Sequence, residues 1–332
     1  MMSWRKAILL CELAGVAMLL VDSGSVSSAA VTNSPKLFAP GVVSGPADDL
    51  SPAFSPDGKA VYFTRGNNSA STILLSTQTQ GHWSVPTIAS FSGQWNDIEP
   101  TMAPDGSHLV FSSNRPIDAQ GSVLDATYNG KLAAGGGGNL WRVDRGGDKW
   151  SSPKRLPDTI NSGTAVFSPS IAGDGSLYFM RQDGRTGTFH LFRSAYRSGN
   201  YQEAEPVNVG DSTTEEVDPA VAPDESFMVF TSNHPARHDQ KRLMIAFHDK
   251  LGWTAPQDLG DEVNEAGNNI EARLGADHRT LYFSTNTVPP VSFPRSLDRA
   301  RSDLTDMLVW ANGRQNIWYV SLASWIDRDR TP

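Results

Sequence analysis

Acidic side chains recur at one position of a repeated segment, where they could act together. Glu99, Asp218 and Glu271 open the segments EPTMAPDG, DPAVAPDE and EARLGADH, and Ser51 and Ser168 open SPAFSPDG and SPSIAGDG. The residue that ends the following apolar run is Ser113, Ser232 or Thr285 after an acid, and Arg65 or Arg181 after a serine. Each copy thus pairs one long charged group with one short partner. Set side by side, the copies would form a ring of three carboxylates and two guanidiniums, with Asp49, Asp97 and Glu216 just outside it. Such a ring can grip hydroxyls or the charges of a peptide with fixed donors and acceptors. It could also serve glycoside hydrolysis, which needs two carboxyls roughly 5–9.5 Å apart, with Arg65 or Arg181 tuning them. The plainer alternative is that Arg65 and Arg181 neutralise adjacent acids and stiffen a narrow rim, since structural ion-pair networks are common. The candidate ligand-binding residues are Asp49, Arg65, Glu99, Arg181, Asp218 and Glu271. A catalytic role would fall to Glu99, Asp218 and Glu271.

The elements that must position these residues follow from the repeat. The five segments start 48, 69, 50 and 53 residues apart, and only the second interval carries an obvious insertion. Periods of this size belong to propellers, solenoids or arrays. Pro-Asp-Gly at 56–58 and 104–106 and Gly-Asp-Gly at 173–175 are tight turns, in which Asp bonds its own backbone and Gly takes a positive φ. The runs after them, such as Val61-Tyr62-Phe63 and Leu177-Tyr178-Phe179, suit strands buried on both faces. A third strand follows in each copy, at Ile73, Leu140, His190, Leu243 and Ile317. A fourth begins near Trp83, Trp150, Tyr201 and Trp253. The expected fold is therefore all-β, a single β-propeller of five four-stranded blades. A sixth blade would need a repeat that no gap comfortably holds.

The chain ends support closure. After the last third strand only Leu322 to Pro332 remain, whereas Pro35-Lys36-Leu37-Phe38-Ala39-Pro40 resembles a fourth strand with no repeat before it. An N-terminal strand completing the last blade would seal the ring and remove the open edge.

The Ser-Pro-Asp-Gly turn, the Tyr-Phe-Thr or Phe-Ser-Ser strand end and the Trp-Ser-x-Pro step resemble the TolB-type, WD-like propeller repeats of exported bacterial proteins. Asn114-Arg115, the glycines 135–138 with Asn139-Leu140-Trp141, and Leu156 with Ile160-Asn161-Ser162 also match that pattern, over roughly residues 35–322. The resemblance implies a binding or scaffolding module. Its envelope partner would be a protein, peptide or oligosaccharide, met through the polar face. The alternative is a carbohydrate-active enzyme, a glycoside hydrolase using carboxylates at the starts of inner strands. An assembly scaffold using the outer blade edges is a third reading. No Gly-x-Ser-x-Gly elbow or other nucleophile motif stands in a convincing context.

Insertions at 116–138 and 287–313 lengthen the second-to-third-strand loops of blades two and five, and are expected to wall a cleft over blade one. The Gly135–Gly138 run argues for mobility there. Phe293, Met307, Leu308 and Trp310 are expected to fold back on the propeller more readily than to anchor a partner. His234 and His238 with Asp239 have loop spacing but lack further ligands, so neither a metal nor another cofactor is expected.

Composition bounds the rest. Hydrophobic residues are 39% and charged residues 19% of the 332, enough for a packed core. A net charge of −8 repels phosphate backbones and excludes nucleic acid as a natural partner. Arg5 and Lys6, the apolar Ala7 to Val21 and the small Ser28-Ala29-Ala30 read as a secretory signal. The expected organisation is a signal peptide at 1–30, a propeller at 31–322 and a C-terminal tail at 323–332. That implies a periplasmic or secreted protein with no membrane span after cleavage. The lone cysteine, Cys11, falls in the leader, so packing alone must hold the mature fold.

Overall fold

The computed structural model describes residues 34–327 apart from 68, 119, 210–214, 235, 236 and 266, with the backbone alone for 234 and 237–239. The segment expected to be a signal peptide, with Cys11, and the side chains of His234, His238 and Asp239, lie outside the described residues. Five antiparallel sheets stand in a ring as a five-bladed propeller. The inner strands are Asp48–Phe54, Asp97–Met102, Val166–Ile171, Glu216–Val221 and Ile270–Leu274. Blade five takes its outer strand, Lys36–Leu37, from the N-terminus, where Lys36 pairs with Tyr319 and Leu37 with Trp318. In blade one the fourth strand is split into His82–Trp83 and Thr87–Ile88, because Pro86 has no N–H for the ladder.

The apolar triplets close the ring. Side chains alternate along a strand, so neighbouring residues face opposite blade interfaces. Val61 and Phe63 pack with Ile317 and Phe38 of blade five, while Tyr62 packs with Leu109 and Phe111 of blade two. Val110 then turns to Leu177 and Phe179 of blade three, Tyr178 to Met228 and Phe230 of blade four, and Val229 to Leu281 and Phe283 of blade five. Each large cluster thus lies between two blades. The tryptophans lock the same seams, as when Trp150 Nε1 donates to the Tyr62 hydroxyl at 2.9 Å. The turns are uniform as well: Gly58, Gly106 and Gly175 have positive φ, and Glu225 and His278 adopt it in the two copies that lack glycine.

Three short or inserted elements complete the chain: helices α1 (Asp261–Asn264), α2 (Leu297–Val309) and α3 (Ala323–Ile326). The segment from 323 is more than a tail, since Trp325 is buried with Val320 and Leu322. No helix among the described residues is long and apolar enough to cross a membrane.

The first insertion departs from expectation. The 116–138 loop forms a hairpin, Ala126–Tyr128 with Lys131–Ala133, and leans on blade three rather than blade one: Tyr128 meets Phe189, and Ala126 packs with Phe167. Its glycines are clamped. Gly137 N donates to Leu124 O, Gly138 N donates to Thr164 O, and Val166 N donates back to Gly138 O. A Cβ on Gly138 would lie 2.2 Å from the Phe167 ring. Glycine here permits close packing, which a mobile loop would not need. Gly138→Ala should therefore lower stability by ~1–3 kcal/mol, read as a lower urea midpoint at unchanged slope.

Candidate functional site

Every inner strand carries one extra residue, and that residue is the one that opens the repeat. Register slips by one between Leu50 and Ala53, Ile98 and Thr101, Phe167 and Ser170, Val217 and Ala220, and Ile270 and Arg273. The bulged residues Ser51, Glu99, Ser168, Asp218 and Glu271 have φ of 51°, 56°, 50°, 55° and 58°. A left-handed non-glycine residue costs on the order of 1–2 kcal/mol, and here it occurs once per blade. Bulges bend a strand and re-aim a side chain; these five bring their side chains together across the central channel.

The carboxylates of Glu99, Asp218 and Glu271 converge there, one oxygen of each lying within 4.8 Å of the others. They are 5%, 4% and 8% exposed. Their own and neighbouring blades hold them by short bonds. Ser112 Oγ and Ser168 N donate to Glu99 Oε2 at 2.7 and 2.6 Å, and Ser51 Oγ donates to Glu271 Oε2 at 2.7 Å. The Glu271 backbone N–H donates to Asp218 Oδ2 at 3.0 Å, and that of Glu99 donates to Thr64 Oγ1 at 2.9 Å. Burial, reinforced by the Asp218 charge, raises Glu99 above the ordinary carboxylate range, and burial with both neighbouring carboxylates raises Glu271 well above it.

The guanidinium in this cluster comes from a residue that the sequence reading passed over. Arg273 Nη2 donates to Glu271 Oε2 and to Ser168 Oγ, both at 3.1 Å, and Nη1 donates to Ala272 O at 2.7 Å. The other four blades hold Ala53, Thr101, Ser170 and Ala220 at its position. A long cation where the repeat otherwise keeps a small residue was the available signal. Beyond it the channel narrows to a cavity of about 60 Å³, lined by Thr101, Ser170 and Arg273 among others, room for a few waters.

Arg65 and Arg181 stand elsewhere. The cross-strand partner of Arg65 is Asp49, not Ser51. Arg65 Nε donates to Asp49 Oδ1 at 2.6 Å, and its Nη2 reaches the carbonyls of Val42 and Val43, which tie the N-terminal segment to blade one. Burial pushes Asp49 up to about 6 despite that partner. Asp97 makes the equivalent clasp with Arg115, at 2.5 Å, between blades one and two. Arg181 pairs across its blade with Val166 and lies 3.9 Å over the Phe192 ring. The expected ring of three carboxylates and two guanidiniums is thus three carboxylates, two serines and Arg273.

The second feature of interest is the blade-five insertion. None of the residues of α2 is buried. Leu297, Leu304 and Leu308 lie on one stripe of the helix, and Phe293 precedes it at 77% exposure. Phe293, Met307 and Leu308 therefore face solvent rather than fold back, and only Trp310 packs on the propeller, against Trp318. The insertion is anchored beside the entry to blade one by Asn312 Nδ2 to Pro46 O and by Arg314 to Asp48. Arg295 and Arg299 both pair with Asp303 on its polar side.

No protein-family model and no curated protein matches the sequence. Solved structures do resemble the fold. A protein assigned to TolB from Agrobacterium tumefaciens aligns at a TM-score of 0.47 and 15% identity, over 76% of this chain and 75% of that one. TolB from Acinetobacter baumannii aligns at 0.46 and 14%, over 83% of this chain and 55% of that one, so this chain spans about half its length. A GH62 hydrolase solved with xylotriose aligns at 0.48 and 11%, over 87% and 97%. At such identities the likeness concerns the propeller fold alone.

Proposed function

We propose that this chain is an exported binding propeller that takes a protein partner, an envelope protein or a peptide segment of one, on the face that carries α2. The observation that carries this reading is the helix itself. A 13-residue helix with no buried residue exposes Leu297, Leu304, Met307 and Leu308 beside Phe293. Singly scattered exposed apolar residues are ordinary, whereas a contiguous set on one element marks an interaction surface. Its residues are largely aliphatic, and the neighbouring Trp310 is tucked against Trp318. Aliphatic stripes flanked by arginines suit protein surfaces better than sugars, which stack on exposed rings, of which this set has Phe293 alone.

The glycosidase alternative fits the geometry less well. Its two carboxyls must flank a sugar with roughly 5–9.5 Å between them. The three here are buried, with their nearest oxygens within 4.8 Å of one another, and are tied inside the channel by Ser168 N and Glu271 N rather than set on the two sides of an open cleft.

A photo-crosslinking residue placed at Leu304 in the whole chain, incubated with envelope extract, should yield one discrete adduct. The same probe at Leu251, fully exposed on another blade, should yield none. Leu297→Asp with Leu308→Asp should remove the adduct while changing stability by less than about 0.5 kcal/mol, as surface substitutions do. No adduct at Leu304, or the same adducts at both sites, would reject the α2 face. Shortened arabinan or xylan products, lost in Glu271→Gln, would favour the hydrolase instead.

A further inference from the structure

The channel cluster carries a charge that the described residues do not balance. Three carboxylates and one guanidinium sum to −2 when all are ionised. Uncompensated charge in a buried site is costly, so it is relieved by protons or by a cation. Hydrogen bonds use one oxygen of each acid: Glu99 Oε2, Asp218 Oδ2 and Glu271 Oε2. The second oxygen of each accepts none among the described residues.

A separate observation concerns two hydroxyls. Thr64, Ser112, Thr231 and Ser284 occupy one register position, opposite Leu50, Ile98, Val217 and Ile270, the residues just before the bulges. Thr64 and Ser112 both bond Glu99. Thr231 Oγ1 and Ser284 Oγ, at the same position beside Asp218 and Glu271, are fully buried and have no partner. A buried hydroxyl without a partner costs about 1–3 kcal/mol, and the register sets these two in the blades of Asp218 and Glu271 at the position from which Ser112 reaches Glu99. The missing partner must offer charge to three carboxylates and contacts to hydroxyls at once.

We propose that Glu99, Asp218 and Glu271, with the hydroxyls of Thr231 and Ser284 beside them, form a divalent-cation site of calcium type in the propeller channel. The donor set is all oxygen, which selects a hard cation over zinc or copper. Calcium takes six to eight oxygens at about 2.3–2.6 Å in irregular geometry, so ligands on opposite sides of it stand about 5 Å apart, the scale of this cluster. Magnesium demands a tighter octahedron and retains water, for which the three inward side chains leave little freedom. Two positive charges would bring the cluster to neutrality with Arg273 in place. The ion would also join blades two, four and five, which no chain connection does at the channel.

The test uses the whole chain, stripped with a chelator and titrated with CaCl2 or MgCl2 at pH 7.5. Calorimetry should show one calcium per chain, and saturating calcium should raise Tm on the order of 5 °C. Glu271→Gln and Asp218→Asn should each weaken calcium at least about tenfold. Should either fail to fold, Ser284→Ala provides a milder variant, expected to weaken calcium with the fold intact. Absence of calcium heat and of any Tm rise in the unaltered chain at 10 mM, about tenfold above the weakest dissociation constants such sites show, would overturn the proposal and leave the cluster to protons. Magnesium bound as tightly as calcium would overturn the assignment to calcium.

Discussion

Arg273→Met is expected to destabilise the propeller by ~3–5 kcal/mol at pH 7.5 in the absence of metal, the usual cost of removing one partner from a buried charge pair. Met preserves most of the volume, so the loss is electrostatic. Arg273 is the guanidinium that touches the cluster, through Glu271 Oε2 and Ser168 Oγ, and without it three buried carboxylates face one another. Acid should restore part of the loss. Glu99 and Glu271 already titrate above 4.5 in the folded protein, so between the unfolded and folded pKa values the native state binds more protons than the unfolded chain. Their contribution is complete below the unfolded value and is lost as pH rises through the folded one. Removing Arg273 raises both folded values further, which steepens the loss and extends it to higher pH. Urea midpoints from pH 5 to pH 8 should show the deficit of Arg273→Met shrinking toward pH 5. A deficit constant across that range would assign Arg273 a packing role only. Glu271→Gln should flatten the pH dependence of the otherwise unaltered chain.

What could be read from the sequence divides along a physical line. The blades were legible because every apolar triplet must bury both of its faces, and that demand is written in consecutive residues such as Val61-Tyr62-Phe63. Closure by Lys36–Leu37 was legible for the same reason: a fourth strand was missing at one end and spare at the other. The convergence of Glu99, Asp218 and Glu271 followed from their shared position in the repeat. The guanidinium partner did not. Position in the repeat matched Ser51 to Arg65, but the strand register pairs Arg65 with Asp49 and turns it toward a blade seam. A bulge has no sequence signature when its left-handed residue is Ser, Glu or Asp rather than Gly. The insertions were opaque because their fate depends on distant surfaces. Gly135–Gly138 reads as slack until the Phe167 ring is seen against Gly138, and nothing local tells that Trp310 finds Trp318 while Leu308 finds nothing.

Phe38→Ala is the second large effect, with an expected loss of ~3–5 kcal/mol. The N-terminal strand contributes only two paired residues, Lys36 and Leu37, to blade five, too few for ladder bonds alone to hold it. Phe38 supplies the anchor. Its ring lies 5.3 Å from Tyr282, 5.5 Å from Trp83 and 5.6 Å from Phe54, all edge-on, and its N–H donates to Ile317 O at 2.9 Å. It therefore touches blade five and blade one at once, at the seam where the chain passes from its N-terminal strand into blade one. Truncation leaves a cavity among those three rings and frees the outer edge of blade five, so the loss should exceed that of a buried aromatic at a seam between two other blades. Phe179→Ala, packed against Phe192 and away from the closing seam, is the comparison. Equal unfolding midpoints would mean that Phe38 is ordinary core. A larger loss for Phe38→Ala, accompanied by new protease cleavage before Pro40 in the otherwise folded protein, would show that the ring is held shut at this residue.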